Sequence, residues 1–197
     1  MPPTENEPRG KASSFIKDLV VFVIIALAVV IPIRFWVAQP FVVSGASMHP
    51  TFETGQYLVV NQFSYHFTNP NRGDVIIFKY PLDVSQYFIK RVIGLPGETV
   101  SIAGSVVTIK NAAHPEGFTL SEPYILPADQ SQNMMTITLS PDQYFVMGDN
   151  RNESSDSRIW GPVPRNLIVG TPLFRLLPLS TLSVSPGKYS EPAGEQQ

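Results

Sequence analysis

The hydrophobic pattern changes character once along this chain, near residue 39. From Leu19 to Ile33 every position is apolar, Pro32 included, and extending the run through Arg34 to Ala38 gives 20 residues with a single charge. As a helix that run measures about 30 Å, the thickness of a bilayer's hydrocarbon core. No polar stripe interrupts it between Val20 and Ile33, so it lacks the wet face of a buried amphipathic helix. A cleavable leader needs small residues one and three places before its cut; Ala38 meets the first condition, but Trp36 stands at the second. The pattern therefore predicts a transmembrane anchor over 15–38, with Pro32 kinking its last turns, Arg34 snorkelling and Trp36 at the interface. Residues 1–14 are polar and hold Pro2, Pro3, Pro8 and Gly10, which predicts a disordered tail. Arg9, Lys11 and Lys17 precede the run, and only Arg34 follows it before Arg72. That asymmetry predicts a single pass through the cell membrane, with the N-terminus cytoplasmic and the remainder on the outer face.

After Gln39 the pattern becomes short runs of β type between turn residues. Tyr57–Val60, Asp74–Tyr80 and Tyr87–Ile93 read as strands, the first two separated by Asn69-Pro70-Asn71-Arg72-Gly73. Thr99–Ile102 and Val106–Ile109 flank Ala103-Gly104-Ser105 and read as a hairpin. Met134–Leu139, Gln143–Met147 and Leu167–Thr171 complete the set. Residues 111–133 are rich in proline, polar and small residues and read as a short insertion or loop. No stretch after residue 40 carries a 3.6-residue period, so the expected fold is mainly β: an antiparallel domain over 39–185 with one N-terminal transmembrane helix, closing in a disordered tail over 186–197.

Composition narrows the function classes. The chain has 197 residues, a net charge of −2 and only 15 % charged residues, without a Lys/Arg cluster, which argues against a nucleic-acid partner. It has no cysteine, which excludes disulfides, thiol nucleophiles and thiolate metal sites; no cofactor or metal is expected from the remaining residues.

Three stretches carry candidate chemistry. Ser44-Gly45-Ala46-Ser47-Met48-His49-Pro50-Thr51 sets Ser47 among small residues, where a backbone can approach its hydroxyl and leave N–H groups free for an oxyanion; by itself it equally describes a surface turn. A nucleophilic serine needs a base. His49 is too near in sequence to meet Ser47 in hydrogen-bonding geometry, and His66 and His114 sit in loop contexts, so all three histidines read as structural or solvated. Lys90 is the better base, since Phe88 and Val92 share its face of a strand. Apolar neighbours desolvate an ammonium and lower its pKa, and a shift of about 3 units corresponds to roughly 4 kcal/mol. The competing reading of Lys90 is an edge-strand charge with a solvated tip. In the third stretch, Gly148 to Arg158, Asp149, Arg151, Asp156 and Arg158 alternate in sign around Ser154. Such a loop either faces solvent or braces a site through ion pairs.

Four blocks taken together resemble the bacterial type I signal peptidases, or leader peptidases. They are Ser-Gly-x-Ser-Met-x-Pro-Thr at 44–51, Arg-Gly-Asp-Val running to Tyr-Pro at 72–81, Ile-Lys-Arg-Val-x-Gly-Leu-Pro-Gly-Glu at 89–98, and Gly-Asp-Asn-Arg-x-x-Ser-x-Asp-Ser-Arg-x-Trp-Gly-x-Val at 148–163. The resemblance spans roughly residues 15 to 175. It implies a membrane-anchored serine endopeptidase with Ser47 as nucleophile and Lys90 as general base. Ser154 would hydrogen-bond the lysine, while Asp149 with Arg91 and Asp156 with Arg158 would form structural ion pairs. The Ser47 N–H would serve the oxyanion hole; where some relatives add a serine hydroxyl two places before the nucleophile, this chain has Gly45, with Ser44 beside it. Met48, Phe52, Phe88 and Ile89 would line the pocket for the residue before the cut. The implied partners are the signal peptides of translocated preproteins, cut after small residues one and three places before the bond, together with membrane lipid and a nearby translocation machinery. A self-cleaving Ser–Lys protein of the repressor class would need a DNA-binding domain or an internal cleavage site, and would carry no membrane span. The non-enzymatic alternative is an anchored β-domain that binds secreted proteins.

Overall fold

The structure is a computed structural model and describes residues 10–32, 38–129 and 133–189. It falls into two compact units, Met1–Ala38 and Gln39–Gln197. In the first, helix α1 runs from Gly10 to Pro32. Residues 10–14, expected as the end of a tail, are thus its first turns: Lys11 and Ala12 are good helix formers, and a helix next to them is already nucleated. Large apolar side chains of α1 are exposed all round, from Phe15 through Val23 to Leu27 and Val30. Its side chains are described at 15–28 and 30, and among the described residues no helix is long and apolar enough to cross a membrane. Arg34 and Trp36, residues 1–9 and residues 190–197 lie outside the described residues.

The second unit is built from twelve described strands: β1 (Ala38–Val42), β2 (Tyr57–Asn61), β3 (Val75–Tyr80), β4 (Asp83–Gly94), β5 (Thr99–Ala103), β6 (Val106–Lys110), β7 (Phe118–Thr119), β8 (Met134–Thr138), β9 (Gln143–Met147), β10 (Val163–Pro164), β11 (Ile168–Leu177) and β12 (Ser183–Val184). Among the described residues they form an eight-stranded sheet, β1-β2-β11-β3-β4-β9-β10 with β12 on β11, and a four-stranded sheet, β7-β6-β5-β8. The β3–β4, β4–β9, β2–β11, β5–β6 and β5–β8 pairs are all antiparallel, as expected for a mainly β fold. The hairpin expected at Gly104 is β5–β6, with Val100 opposite Ile109 and Ile102 opposite Val107, all four buried.

Three apolar clusters hold this unit together. The four-stranded sheet covers one around Val100, Ile109, Phe145 and Met147. A second gathers Ile76, Phe78, Val92, Tyr144 and Val146 on one face of the large sheet. The third gathers Met48, Phe52, Leu58, Val60, Val75 and Ile77, and it positions the turn that carries Ser47. Burying one such side chain contributes about 1.5–3 kcal/mol. The chain's end enters the same framework: the Gly187 carbonyl accepts from Arg91 Nη1 at 2.7 Å, and the Tyr189 ring meets that of Tyr124 at 5.4 Å. Residues 186–189, expected as tail, therefore pack as part of the domain. A polar composition concealed this, since it is the Gly187 backbone and the single ring of Tyr189 that dock.

Candidate active site

Ser47 rides on a turn fixed from beneath. Gly45 takes φ +92°, the left-handed region open to glycine, and turns the chain so that His49 N bonds Ala46 O and Phe52 N bonds Met48 O. Met48 is 1 % exposed and Phe52 is fully buried, both pointing into the third cluster. That orientation leaves Ser47 on the opposite side of the turn, facing a cleft of about 420 Å³.

The cleft's other wall is β4. Residues 86–90 line it, facing residues 41–47, with Glu153 and Ser155 on the rim. β4 pairs with β3 at Asp83 and from Tyr87 to Arg91, whereas β9 reaches it only from Arg91 to Gly94. Among the described residues, the second edge of β4 from Asp83 to Lys90 thus carries no strand. Phe88 and Ile89 line the cleft, as expected. Met48 and Phe52 do not; they lie in the core behind the serine. Apolar character near Ser47 does not say which side of the turn each residue takes.

Lys90 Nζ lies 2.7 Å from Ser47 Oγ and 2.9 Å from the carbonyl of Ile89, to both of which it donates. The residue is 4 % exposed, and its Nζ sits 5.3 Å from the centre of the Phe88 ring. Burial pulls its pKa down to about 8 from the ordinary 10.5, against the Asp156 and Asp149 carboxylates, which act to raise it. No histidine lines the cleft: His49 approaches Glu53 at 3.4 Å, and His66 Nδ1 lies 3.0 Å from the Gln62 carbonyl. Among the described residues no cluster of His, Asp and Glu could hold a metal ion.

Arg91, the next residue, projects from the opposite face of β4 into a closed cage. Its Nε and Nη2 donate to the two oxygens of Asp149 at 2.8 and 2.6 Å, and Nη1 donates to Gly73 O and Gly187 O. Asp149 also accepts from the Thr51 hydroxyl, four residues beyond Ser47. Asp156 accepts from Arg158 Nε and Nη2, each at 2.8 Å, and from the Gly148 N–H at 3.0 Å. Both expected ion pairs are therefore present, and both are buried.

The loop from Gly148 to Arg158 presses directly on the serine. Asn150 N donates to the Ser47 carbonyl at 3.1 Å. A Cβ at Gly148 would lie 2.3 Å from that same carbonyl and 2.2 Å from Ser154 Oγ, so only glycine fits. Ser154 departs from expectation: its hydroxyl is buried with no hydrogen-bond partner and makes no bond to the lysine amine. Lys90 Nζ donates to Ser47 and the Ile89 carbonyl instead. Sequence reasoning missed Thr51, Asn150, Glu122 and Tyr124 as parts of this framework. Of these only Tyr124, an aromatic within a polar loop, carried a compositional signal.

The arrangement sets a buried amine against a serine hydroxyl, beside a strand edge that carries no strand among the described residues. The family model described as signal peptidase, peptidase S26, matches residues 16–177. A probable signal peptidase I-1 of Synechocystis sp. is 41 % identical over 183 residues, 89 % of this chain and 90 % of that one. A signal peptidase I of Leptolyngbya laminosa is 38 % identical, over 91 % of this chain and 88 % of that one. A crystal structure of a signal peptidase I from Enterococcus faecalis is 32 % identical, over 53 % of this chain and 97 % of that one, with a TM-score of 0.45. Matched along most of its length by the family model and by both relatives, this chain belongs to the signal peptidase family, peptidase S26.

Proposed function

We propose that this protein removes signal peptides from exported preproteins, with Ser47 as nucleophile and Lys90 as general base. The observation that carries the reading is the 2.7 Å contact between a buried Lys90 amine and the Ser47 hydroxyl. In its neutral form the amine accepts the hydroxyl proton along that contact. Ser47 Oγ then attacks the scissile carbonyl carbon, and the resulting oxyanion is held by the Ser47 N–H. Lys90, now an ammonium, gives its proton to the leaving amine as the C–N bond breaks. A water then loses a proton to Lys90 as it attacks the acyl carbon; the acyl C–Oγ bond breaks, Lys90 returns the proton to Ser47 Oγ, and the signal peptide leaves with a carboxyl end. The free edge of β4 from Asp83 to Lys90 suits a substrate bound as an added strand. The apolar wall of Phe88 and Ile89 suits a small side chain before the cut.

The proposal extends to location. Helix α1 carries an all-apolar sequence from Leu19 to its end at Pro32, with Lys11 and Lys17 on its N-terminal side. It acts as a single-pass anchor with a cytoplasmic N-terminus, which holds the peptidase unit against the membrane face where translocated preproteins emerge. Lipid and the translocation machinery are then its neighbours.

Ser47→Ala and Lys90→Ala are each expected to reduce cleavage of a preprotein to background, while the variants keep a wild-type circular dichroism spectrum. Cleavage by either folded variant at more than about one hundredth of the wild-type rate excludes the pair. An inert wild-type chain that binds preproteins without trimming them makes it a binding domain.

A further inference from the structure

The segment Glu122-Pro123-Tyr124, inside the stretch that sequence marks as a loop, ends on the two arginines that frame the serine. Glu122 receives both terminal nitrogens of Arg151, Nη1 to Oε2 at 3.0 Å, with side chains 7 % and 4 % exposed. Arg151 in turn donates from Nε to the Gly148 carbonyl at 3.1 Å. Tyr124 donates from its hydroxyl to Glu122 at 2.9 Å and lays its ring 3.9 Å from the Arg91 guanidinium carbon. Four N–H groups of Arg91 go to Asp149, Gly73 and Gly187, and the ring covers one face of the guanidinium.

We propose that Glu122 and Tyr124 are positioning residues for the hydrolysis, acting through Arg151 and Arg91 to hold Gly148, Asp149 and hence the Ser47 turn in register with Lys90. The inference rests on the Ser47–Lys90 reading and deepens it. Two paths lead from the segment to the serine. One runs Tyr124, Arg91, Asp149, Thr51, ending on the turn that bears Ser47. The other runs Glu122, Arg151, Gly148, ending against the Ser47 carbonyl.

The paths also control charge. Lys90 faces Ser47 from the turn, Phe88 on its own strand, and Asp149 and Asp156 from the loop; Glu153 and Tyr87 share its cleft. Arg91 and Arg158 neutralise the two aspartates, and Arg151 is neutralised by Glu122. An Arg91 freed to tilt leaves Asp149 uncompensated near the amine. That favours the ammonium and moves the alkaline rise in activity to higher pH.

The test compares Tyr124→Phe, Tyr124→Leu and Glu122→Gln in the full chain, by steady-state cleavage of a preprotein from pH 6 to 10, beside Ser47→Ala. Tyr124→Leu is expected to lose about tenfold in kcat at pH 8 with KM within about twofold, and to raise the midpoint of the pH profile by about half a unit. Tyr124→Phe keeps the ring and stays within about threefold of wild type with an unmoved midpoint; Glu122→Gln follows the leucine variant in kcat. Folded Tyr124→Leu with wild-type kcat and midpoint overturns the proposal. So does failure of both Tyr124→Leu and Glu122→Gln to fold, which makes the segment a stability element. An active Ser47→Ala instead removes the reading beneath it, whatever the Tyr124 series gives.

Discussion

A lysine tip held 4 % exposed beside a hydroxyl is an unfavourable way to stabilise a fold and a favourable way to keep a base neutral. With its pKa lowered to about 8, Lys90 is neutral in about one molecule in ten at pH 7, against roughly one in three thousand for a free lysine. Cleavage rate is therefore expected to climb from pH 6 and level off above about pH 8, read as kcat/KM on one preprotein. A flat profile from pH 5 to 9 contradicts the base assignment. Stability moves in the same direction. Between about 8 and 10.5 the unfolded chain holds a proton that the folded chain has released, so unfolding free energy rises with pH across that window and the cost of burial is fully present below it. Lys90→Met is accordingly expected to be inactive yet more stable at pH 6, by roughly 1–3 kcal/mol in urea melts, with the gain vanishing above pH 10.5. A variant less stable than wild type at pH 6 would show that the amine's hydrogen bonds outweigh its desolvation.

At the scale of elements, the loop from Gly148 to Arg158 and the turn around Ser47 act as one unit, because they share a carbonyl and leave no room between them. Gly148→Ala drives a methyl to within 2.2–2.3 Å of Ser154 Oγ and Ser47 O, so one of them must shift. The expected result is a loss of 1–3 kcal/mol in stability, on the order of other overpacked sites, and a fall of about a hundredfold or more in kcat, measured by chemical unfolding and single-turnover cleavage. Near-normal kcat would mean that the loop yields without moving the serine. The same elements mark what sequence could reveal. Alternation at Val100, Ile102, Val107 and Ile109 gave the hairpin, because one face of that sheet is core and the other is wet. The first residues of β4, Asp83 to Gln86, carry no such alternation, being largely exposed and, after Asp83, out of register with β3, so the sequence predicts a strand only from Tyr87. β1 is hidden because Ala38 closes the apolar run and Gln39-Pro40 interrupts any alternation before Phe41 and Val42. The motif blocks single out Ser47 and Lys90, which the fold brings into contact, and the residues of both ion pairs. The sides taken by Met48 and Phe52 depend on rotation within the Ser47 turn, and the idle Ser154 hydroxyl on the path of the separate Gly148 loop, neither of which spacing encodes.

At the scale of the whole molecule, the chain divides into a helical unit and a β unit with its own three apolar clusters. The anchor reading makes a direct prediction: the full chain stays with lipid vesicles through an alkaline carbonate wash, while a chain beginning at Gln39 remains in the supernatant. Release of the full chain by the wash would reduce α1 to a surface contact. The β unit's chemistry depends on a smaller thing, the opposed directions of Lys90 and Arg91. These neighbours are distinguished only by whether the count along β4 is odd or even. Gain or loss of two residues in the link at Pro81 and Leu82 would preserve that parity, whereas gain or loss of one, if carried through the pairing, would exchange the two cations. A guanidinium that never surrenders its proton would then face the serine, and the lysine would lie among the carboxylates. The outcome would be a molecule of unchanged outline that cuts nothing.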